Sequence, residues 1–271
     1  MKYSIKSALL CFCVAASSQA MAKNSISDDK FRQLEENLPT PNTYRTASGA
    51  PGHQYWQQDV DYKIDITLND EKQTLSGSET IDYTNNSPDT LRYLWLQLDQ
   101  NKLAENASSK TTRTAPNKKV TYSGLRNAIE TEAFNGGYNI TQVTGSNGKD
   151  LSYVINGTMM RIDLPKSLKS GDSVELNINW NYQLHEQKVL GGRSGYEYFK
   201  EDDNYLYEIA SWFPRAAAYY DVMGWQNKQF IGSGEFTLEF GDYDVSITVP
   251  TDHVVAATGV LQNPKEVLTK T

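Results

Sequence analysis

The stretch DYKIDITLN at residues 61–69 decides the fold class of this chain. Its apolar residues fall at every second position, at Tyr62, Ile64, Ile66 and Leu68, with polar or charged residues between them. Side chains of a β-strand point alternately to the two faces of a sheet. The period of two therefore predicts a strand with one buried face.

The same period recurs through most of the chain. It continues in TLSGSETIDYT (74–84), in LRYLWLQLD (91–99) and in SVELNINWNY (173–182). Turn sequences such as NGK, NGT and SGD separate the runs, and LRNAIETEA (125–133) predicts a short helix. The sequence thus predicts an all-β fold: a large curved antiparallel sheet or a β-sandwich, with a short helical or loop insertion.

The first 22 residues have the three parts of a secretory signal peptide. Lys2 and Lys6 precede the apolar run ALLCFCVAA, and Ala20-Met21-Ala22 fits a small-x-small cleavage site. We expect removal of residues 1–22 and export, to the periplasm or the medium of a bacterium. Residues 23–50 are polar and predict a leader or linker, and residues 51–271 predict the β domain.

Composition then excludes several functions for the mature chain. Both cysteines, Cys11 and Cys13, lie in the signal peptide, so neither a disulfide nor a thiolate metal ligand is expected after cleavage. Removing its two lysines leaves 24 of the 26 basic residues against 33 acidic ones, a formal charge of −9. This balance argues against a nucleic-acid partner, whose phosphates require a basic surface. No other run is apolar enough for a transmembrane segment.

The stretch HEQKV at 185–189 contains half of the zinc peptidase motif H-E-x-x-H. His185 and Glu186 are present, but Val189 stands where the second histidine belongs. The preceding residues alternate with period two and the following ones are glycine-rich, which predicts a strand and a loop rather than the helix that such a site needs. The other histidines, His53 and His253, are isolated. We therefore predict no metal site, and no nucleophile motif of the G-x-S-x-G kind is present.

Four phrases near the C-terminus carry a family resemblance: YEIASWFPR (207–215), YYDVMGWQNKQF (219–230), GEFTLEFGDYDVSITVP (234–250) and VVAATGVL (254–261). Together with HQYWQQDVDYKIDITL further upstream, they resemble the N-terminal domain of the M1 (gluzincin) zinc aminopeptidases, especially the exported bacterial branch. The resemblance covers essentially residues 53–271.

The resemblance implies an all-β, saddle-shaped domain of the M1 aminopeptidase N-terminal type that packs against a thermolysin-like catalytic domain. In the family that second domain carries the G-x-M-E-N loop, H-E-x-x-H and the zinc, and this chain contains none of these motifs. No catalytic residue, metal ligand or cofactor is therefore expected here, and no activity is expected from this chain alone. The expected partners are a catalytic domain, in cis or in trans, and the N-terminus of a peptide substrate.

The resemblance also implies candidate site residues. Family members offer a Gln or Glu side chain here to the substrate α-ammonium group, and Glu208 is the available acid. Ser211 occupies the place where relatives often have Gln. Aromatic side chains at Trp212, Phe213, Tyr220 and Trp225 are expected at a pocket or at the interface with the catalytic domain. Packing within the domain and an ordinary Arg215–Asp221 ion pair are the structural alternatives.

Two functions from different classes follow. The first is the substrate-amine-side domain of an M1-type aminopeptidase. The second is a free-standing, non-enzymatic β module, derived from that family, that binds or scaffolds a partner.

Overall fold

Alternating apolar residues form the strands that the sequence predicts. The structure is a computed structural model that describes residues 41–112, 119–232, 234 and 237–268. The first strand covers DYKIDITLN, and its even-numbered residues from Val60 to Leu68 are all buried. The prediction of a mainly antiparallel all-β fold is confirmed.

Thirteen strands are described within those ranges. They are β1 (Asp59–Asn69), β2 (Thr74–Thr84), β3 (Leu91–Gln97), β4 (Asn139–Gly145), β5 (Tyr153–Asn156), β6 (Met159–Leu168), β7 (Ser173–Gln183), β8 (Gly195–Phe199), β9 (Asn204–Glu208), β10 (Arg215–Ala216), β11 (Tyr219–Tyr220), β12 (Gly224–Trp225) and β13 (Tyr243–Thr248).

Two sheets provide the body of the fold. The first has the strand order β13-β1-β2-β7-β4 and the second β10-β3-β6-β5, while β8 and β9 form a separate hairpin. Within the two larger sheets all pairings but one are antiparallel. The exception is β13, which runs parallel to β1 with Tyr243 opposite Tyr62. A parallel pair requires a long crossover connection, which local periodicity does not reveal.

The two larger sheets share one hydrophobic core. Its most deeply buried apolar side chains come from alternate positions of their facing strands: Ile64, Ile81, Leu94, Leu96, Ile162, Leu176 and Ile178. Each of these side chains is no more than 1% exposed. Burial of such side chains is worth about 1.5–3 kcal/mol each, which makes this core the main source of stability.

A glycine on β2 makes room for the largest side chain of the core. Gly77 lies opposite Trp180 of β7, and a Cβ atom at Gly77 would stand 2.4 Å from the indole ring. The indole is 2% exposed, so it has little space in which to move.

Replacing Gly77 with alanine is expected to lower the free energy of unfolding by about 1–3 kcal/mol, because the methyl group overpacks a closed site. Gly145→Ala on β4 is the matched control, since a Cβ there meets no atom closer than 3.8 Å. Urea denaturation followed by circular dichroism measures both. Equal stability of the two variants would contradict the close packing at Trp180.

Four helices and one 3-10 helix connect the strands in the described ranges. The helices are α1 (Ser108–Thr111), α2 (Tyr122–Ala133), α3 (Gln187–Leu190) and α4 (Pro264–Val267), and the 3-10 helix is Asp99–Leu103. Helix α2 confirms the predicted helical insertion. None of the helices in the described part of the chain is long and apolar enough to cross a membrane.

The chain divides into two compact units. Among the described residues, the smaller comprises 41–55 and 221–224, and the larger comprises the rest of those between 56 and 268. Within the smaller unit, Arg45 donates from Nε to Asp221 Oδ2 over 2.8 Å and from Nη2 to Oδ1 over 2.8 Å. The predicted signal peptide and residues 23–40 of the predicted leader lie outside the described residues.

Candidate functional site

The segment after β9 holds the two residues predicted to bind substrate. Glu208 is the last residue of β9, lies opposite Gly195 of β8 and has an exposed side chain. Ser211 follows three positions later, half-buried, with a φ of +53°. A non-glycine residue in this left-handed region is uncommon and stores strain, which proteins tend to concentrate at functional sites.

Trp212 and Phe213 pack within the larger unit. The centroid of the Trp212 ring lies 6.3 Å from that of Trp180 and 4.6 Å from that of Phe213. Phe213 meets Tyr62 edge-on at 5.5 Å. Both side chains are half-buried against the core. Trp212 and Phe213 therefore pack within the domain, which is the structural alternative that the sequence analysis gave for them.

Tyr220 and Trp225 are also half-buried. The Trp225 ring contacts Tyr219, Tyr93 and Tyr83 at centroid distances of 4.9, 6.4 and 6.2 Å. The Tyr220 hydroxyl accepts a 2.7 Å hydrogen bond from Gln226. An interface with a further domain at these four aromatic residues stays a prediction.

Arg215 pairs with an acid that the sequence did not suggest. Its Nη2 donates to Asp99 Oδ2 of the 3-10 helix, and the two side chains are 19% and 5% exposed. The suggested Arg215–Asp221 ion pair is wrong, because Asp221 binds Arg45 instead. Asp99 and Arg215 are 116 positions apart, so only the fold brings them together.

A pocket of about 340 Å³ opens beside this ion pair. Its lining consists of Asp99, Arg193, Ala210, Ser211, Arg215, Phe230 and Leu238. Ser211 is thus the one predicted site residue that lines it, whereas Glu208 and the four predicted aromatic residues do not. Two guanidinium groups and one carboxylate are present among the described residues of the lining.

The backbone wall of the pocket is held by hydrogen bonds from three elements. Ser194 Oγ accepts from Ala210 N and donates to Ala210 O, each over 3.0 Å. The Tyr138 hydroxyl donates to Ser211 O over 3.4 Å, and Gln100 Nε2 donates to Ala210 O over 3.5 Å. These bonds fix the left-handed turn at Ser211 in place.

Polar side chains without partners lie in the interior of the larger unit. Glu79 on β2 is 3% exposed, and neither carboxylate oxygen has a hydrogen-bond partner among the described residues. Burial raises the pKa of Glu79 well above its ordinary value of 4.5, which favours the protonated, uncharged form of the side chain. Gln97, 1% exposed, and Arg215 Nε also find no partner within the described ranges.

A second depression, of about 450 Å³, has the opposite charge. It lies at the edge of the first sheet and is lined by Asp61, Tyr62, Lys63, Asp82, Asp242, Tyr243 and Asp244. Four carboxylates face one ammonium group there. These side chains belong to exposed positions of β1, β2 and the approach to β13, apart from the buried Tyr62.

The half-motif HEQKV does not bring three possible metal ligands together among the described residues. His185 is 6% exposed, and its Nε2 lies 3.1 Å from the carbonyl oxygen of Gly191. Burial lowers the pKa of His185, which keeps the ring neutral and structural. The residues after it form the short helix α3 rather than the predicted loop, but no group of three or more possible metal ligands occurs anywhere in the described ranges.

Comparisons with known proteins concern the fold. No family model matches this chain, and neither does any curated protein. Solved structures of M1 zinc metallopeptidases are similar to it. A variant from Deinococcus radiodurans bound to a Tyr-Ser-Ala substrate is 15% identical, covering 75% of this chain and 35% of its own, with a TM-score of 0.39.

Two further structures give similar values. The M1 zinc metallopeptidase of the same organism is 16% identical over 78% of this chain and 36% of its own, with a TM-score of 0.39. A two-domain M1 zinc metallopeptidase bound to L-tryptophan is 16% identical over 78% of this chain and 37% of its own, also at 0.39. This chain therefore spans 35–37% of the length of these proteins. So loose a superposition carries no information on activity.

The sequence analysis did not identify Glu79 or Arg193, for two different reasons. Glu79 lies on the buried face of β2 together with Leu75, Ile81 and Tyr83, which occupy odd-numbered positions as it does. The alternating pattern could therefore have predicted its burial. Arg193 lies in a glycine-rich loop, and no local pattern connects it with Arg215.

Proposed function

We propose that this chain is the N-terminal, substrate-amine-side β domain of an M1-type zinc aminopeptidase. On this proposal, hydrolysis of N-terminal residues from peptides requires a catalytic domain in cis or in trans. The family phrases at 207–261 support the assignment to this class. The structural observation that carries the proposal is a large exposed apolar surface in residues 243–268.

This surface begins on the edge strand. All six residues of β13 are exposed, and its apolar side chains, Tyr243, Val245 and Ile247, are 49%, 37% and 36% exposed. The segment after it adds Val254, Val255, Val260, Leu261, Val267 and Leu268, which are 44–85% exposed. Proteins rarely leave so many neighbouring apolar groups in water, and an open sheet edge invites pairing. A protein partner that covers this surface accounts for it.

Glu208 is the group best suited to receive the substrate ammonium. An α-ammonium group that leaves water needs acceptors or a counter-charge, and the Glu208 carboxylate supplies both. Ser211 is less suited to this role, because its hydroxyl can accept a hydrogen bond but supplies no counter-charge to an ammonium group.

Zinc is not expected on this chain. The described residues offer no group of histidine, cysteine and acidic side chains that fits the ion. On this proposal the ion belongs to the catalytic domain.

We also propose export of the protein. The support is the sequence of residues 1–22, with its basic start, short apolar run and cleavage site before Lys23. Mass spectrometry of the product from a bacterial host reads the N-terminus directly.

Purified residues 23–271 are expected to bind a hydrophobic dye and to leave aminoacyl reporter substrates intact, with or without added zinc. Adding an M1 catalytic domain should quench the dye signal and produce peptide turnover. Glu208→Ala should then reduce turnover by about tenfold or more with little effect on assembly, because one charge-assisted hydrogen bond is lost. Glu201→Ala, an exposed acid in the turn between β8 and β9, is the matched control.

Two outcomes would contradict the proposal. Aminopeptidase activity from residues 23–271 alone would show that the chain needs no second domain. A chain that binds neither the hydrophobic dye nor the catalytic domain would favour the free-standing module. The DNA beyond the codon for Thr271 separates the two functions as well, since an in-frame G-x-M-E-N and H-E-x-x-H supports the enzyme.

A further inference from the structure

The hairpin of β8 and β9 carries four tyrosine side chains on one face. Tyr196 lies opposite Tyr207, and Tyr198 lies opposite Tyr205. Residues directly opposite each other in an antiparallel pair project to the same face of the sheet. The four rings therefore form one continuous surface, called here the tyrosine face. The hairpin and its flanking segments, residues 184–215, are all described.

The four rings contact one another along the hairpin. The centroid of the Tyr205 ring lies 5.0 Å from that of Tyr198 and 5.9 Å from that of Tyr196. It lies 6.0 Å from that of Tyr207. Tyr196 and Tyr207 are half-buried and pack against the core, so they anchor the inner half of the tyrosine face. Tyr198 and Tyr205 form its outer half and are 41% and 37% exposed.

Acidic residues lie next to the exposed half of the tyrosine face. Residues 195–208 contain five acidic residues and one lysine, a formal charge of −4. Three of the acids, Glu201, Asp202 and Asp203, are exposed in the turn between β8 and β9. The Tyr198 hydroxyl donates to Asp203 Oδ1 over 2.7 Å, which holds this carboxylate beside the outer rings. Aromatic ring faces attract cations, and the carboxylates add to that attraction.

The opposite face of the same hairpin already binds a cation in this way. Lys188 Nζ lies 5.6 Å from the centroid of the Phe199 ring and 3.5 Å from Glu197 Oε2. Glu197 and Phe199 alternate with the tyrosines along β8, so they project to the other face of the hairpin. An ammonium group of this chain is therefore held there between a ring and a carboxylate. The tyrosine face presents the same two kinds of group, with its outer rings exposed.

We propose that the tyrosine face binds a basic peptide segment, whose cationic side chains lie over Tyr198 and Tyr205 and close to Asp203. Arginine suits this surface best, because its planar guanidinium group stacks on aromatic rings and also pairs with carboxylates. The aliphatic stem of the side chain covers apolar ring surface at the same time. This site goes beyond the proposed function, because it gives the chain a ligand that it binds without a catalytic domain.

Calorimetric titration of purified residues 23–271 tests the site with an octapeptide of alternating glycine and arginine, acetylated at its N-terminus and amidated at its C-terminus. The acetyl group removes the α-ammonium group, so the result does not depend on the role proposed for Glu208. The control peptide has citrulline in place of arginine, which keeps the shape of the side chain but removes its charge. We expect the arginine peptide to bind at least about tenfold more tightly than the citrulline peptide, and its affinity to fall with rising salt concentration.

Tyr205→Leu is the decisive variant, because it removes the central ring but keeps an apolar side chain at an exposed strand position. It should weaken binding of the arginine peptide by about two- to fivefold, and the double variant with Tyr198→Leu should weaken it by about tenfold. Tyr205→Phe keeps the ring face and should bind within about twofold of the unchanged protein. Tyr153→Leu, at a tyrosine of β5 that is also 37% exposed, should have no effect.

Asp203→Asn tests the contribution of charge. Asp203 has a φ of +50°, and asparagine tolerates this left-handed conformation, so the turn is preserved. Loss of the carboxylate should weaken binding of the arginine peptide by up to about fivefold and should reduce its salt dependence. Thermal melting verifies that each variant is folded.

Four results would overturn the proposal. The first three are the absence of binding, equal affinity for the arginine and citrulline peptides, and an unchanged affinity in the double leucine variant. The fourth is a loss in Tyr205→Phe as large as that in Tyr205→Leu, since the hydroxyl group rather than the ring face would then be required. All four leave the aminopeptidase proposal untouched, because no catalytic domain and no free peptide N-terminus take part.

Discussion

Replacing Arg215 with methionine is expected to lower the free energy of unfolding by about 3–5 kcal/mol. The change removes the guanidinium but leaves the Asp99 carboxylate, 5% exposed, in the interior. A buried carboxylate that loses the guanidinium bound to it keeps its desolvation penalty with less compensation, which is why breaking one side of such a pair costs more than the pair contributes. Urea denaturation at pH 7 measures the difference.

An exposed ion pair on the same sheet provides the control. Arg161 and Asp163 are 45% and 47% exposed and 2.6 Å apart, so Arg161→Met should cost no more than about 1 kcal/mol. Adding Asp99→Leu to Arg215→Met also removes the buried carboxylate and should restore part of the lost stability. A loss in Arg215→Met as small as that in Arg161→Met would show that water reaches Asp99 freely.

Replacing Glu79 with methionine is expected to stabilise the protein by about 1–3 kcal/mol at neutral pH, because an unpartnered buried polar group is removed at nearly constant volume. The neighbours directly across β1 and β7 are Ile64 and Ile178, both fully buried. Methionine therefore enters a row of apolar side chains. Thermal and urea unfolding give the change.

The pH dependence of stability provides a second measure of Glu79. Its folded pKa lies well above the unfolded value near 4.5, so the folded state retains a proton that the unfolded state has released. The contribution of Glu79 is complete below about pH 4.5 and is lost as the pH rises, on the order of 1 kcal/mol per unit. The half-buried Glu239, whose pKa burial raises to about 7, adds a similar slope up to that pH.

Glu79→Met should remove the part of the pH dependence of stability that Glu79 contributes and should leave the part that Glu239 contributes. Asp65→Asn, which deletes an acid on the exposed face of β1, should change neither the slope nor the stability at pH 7 by more than about 0.5 kcal/mol. A steep slope that persists in Glu79→Met would falsify the assignment of a neutral buried acid at this position.

The alternation of apolar and polar residues predicted the strands, because the side chains on one buried face of a sheet recur at every second position. Leu94, Leu96 and Leu98 are predicted on one face, and all three are at most 1% exposed. The helix predicted around LRNAIETEA is likewise confirmed as part of α2. These features depend on neighbours in sequence, so local patterns contain them.

The site depends on distant neighbours, and local patterns do not contain these. The partner of Arg215 is Asp99 rather than the adjacent Asp221, because a strand and a 3-10 helix from different parts of the chain meet in the fold. Arg193 joins them from a third segment. The family resemblance directed attention to Ser211, which lines this pocket, but it gave no indication of the cations around it.

The parallel pairing of β13 with β1 affects how the chain folds. Asp242 donates its backbone N–H to the Asp61 carboxylate from 181 positions further along the chain, so one edge of the first sheet closes only after the residues up to β13 have been synthesised. At ribosomal speeds of about 5–20 residues per second, β1 waits roughly ten to forty seconds for its neighbour. Contacts of such long sequence separation form slowly, because a large loop must close before they stabilise anything. During that interval the edge of β1 can pair with another nascent chain, and we expect the yield of folded protein to fall as the concentration of nascent chains rises.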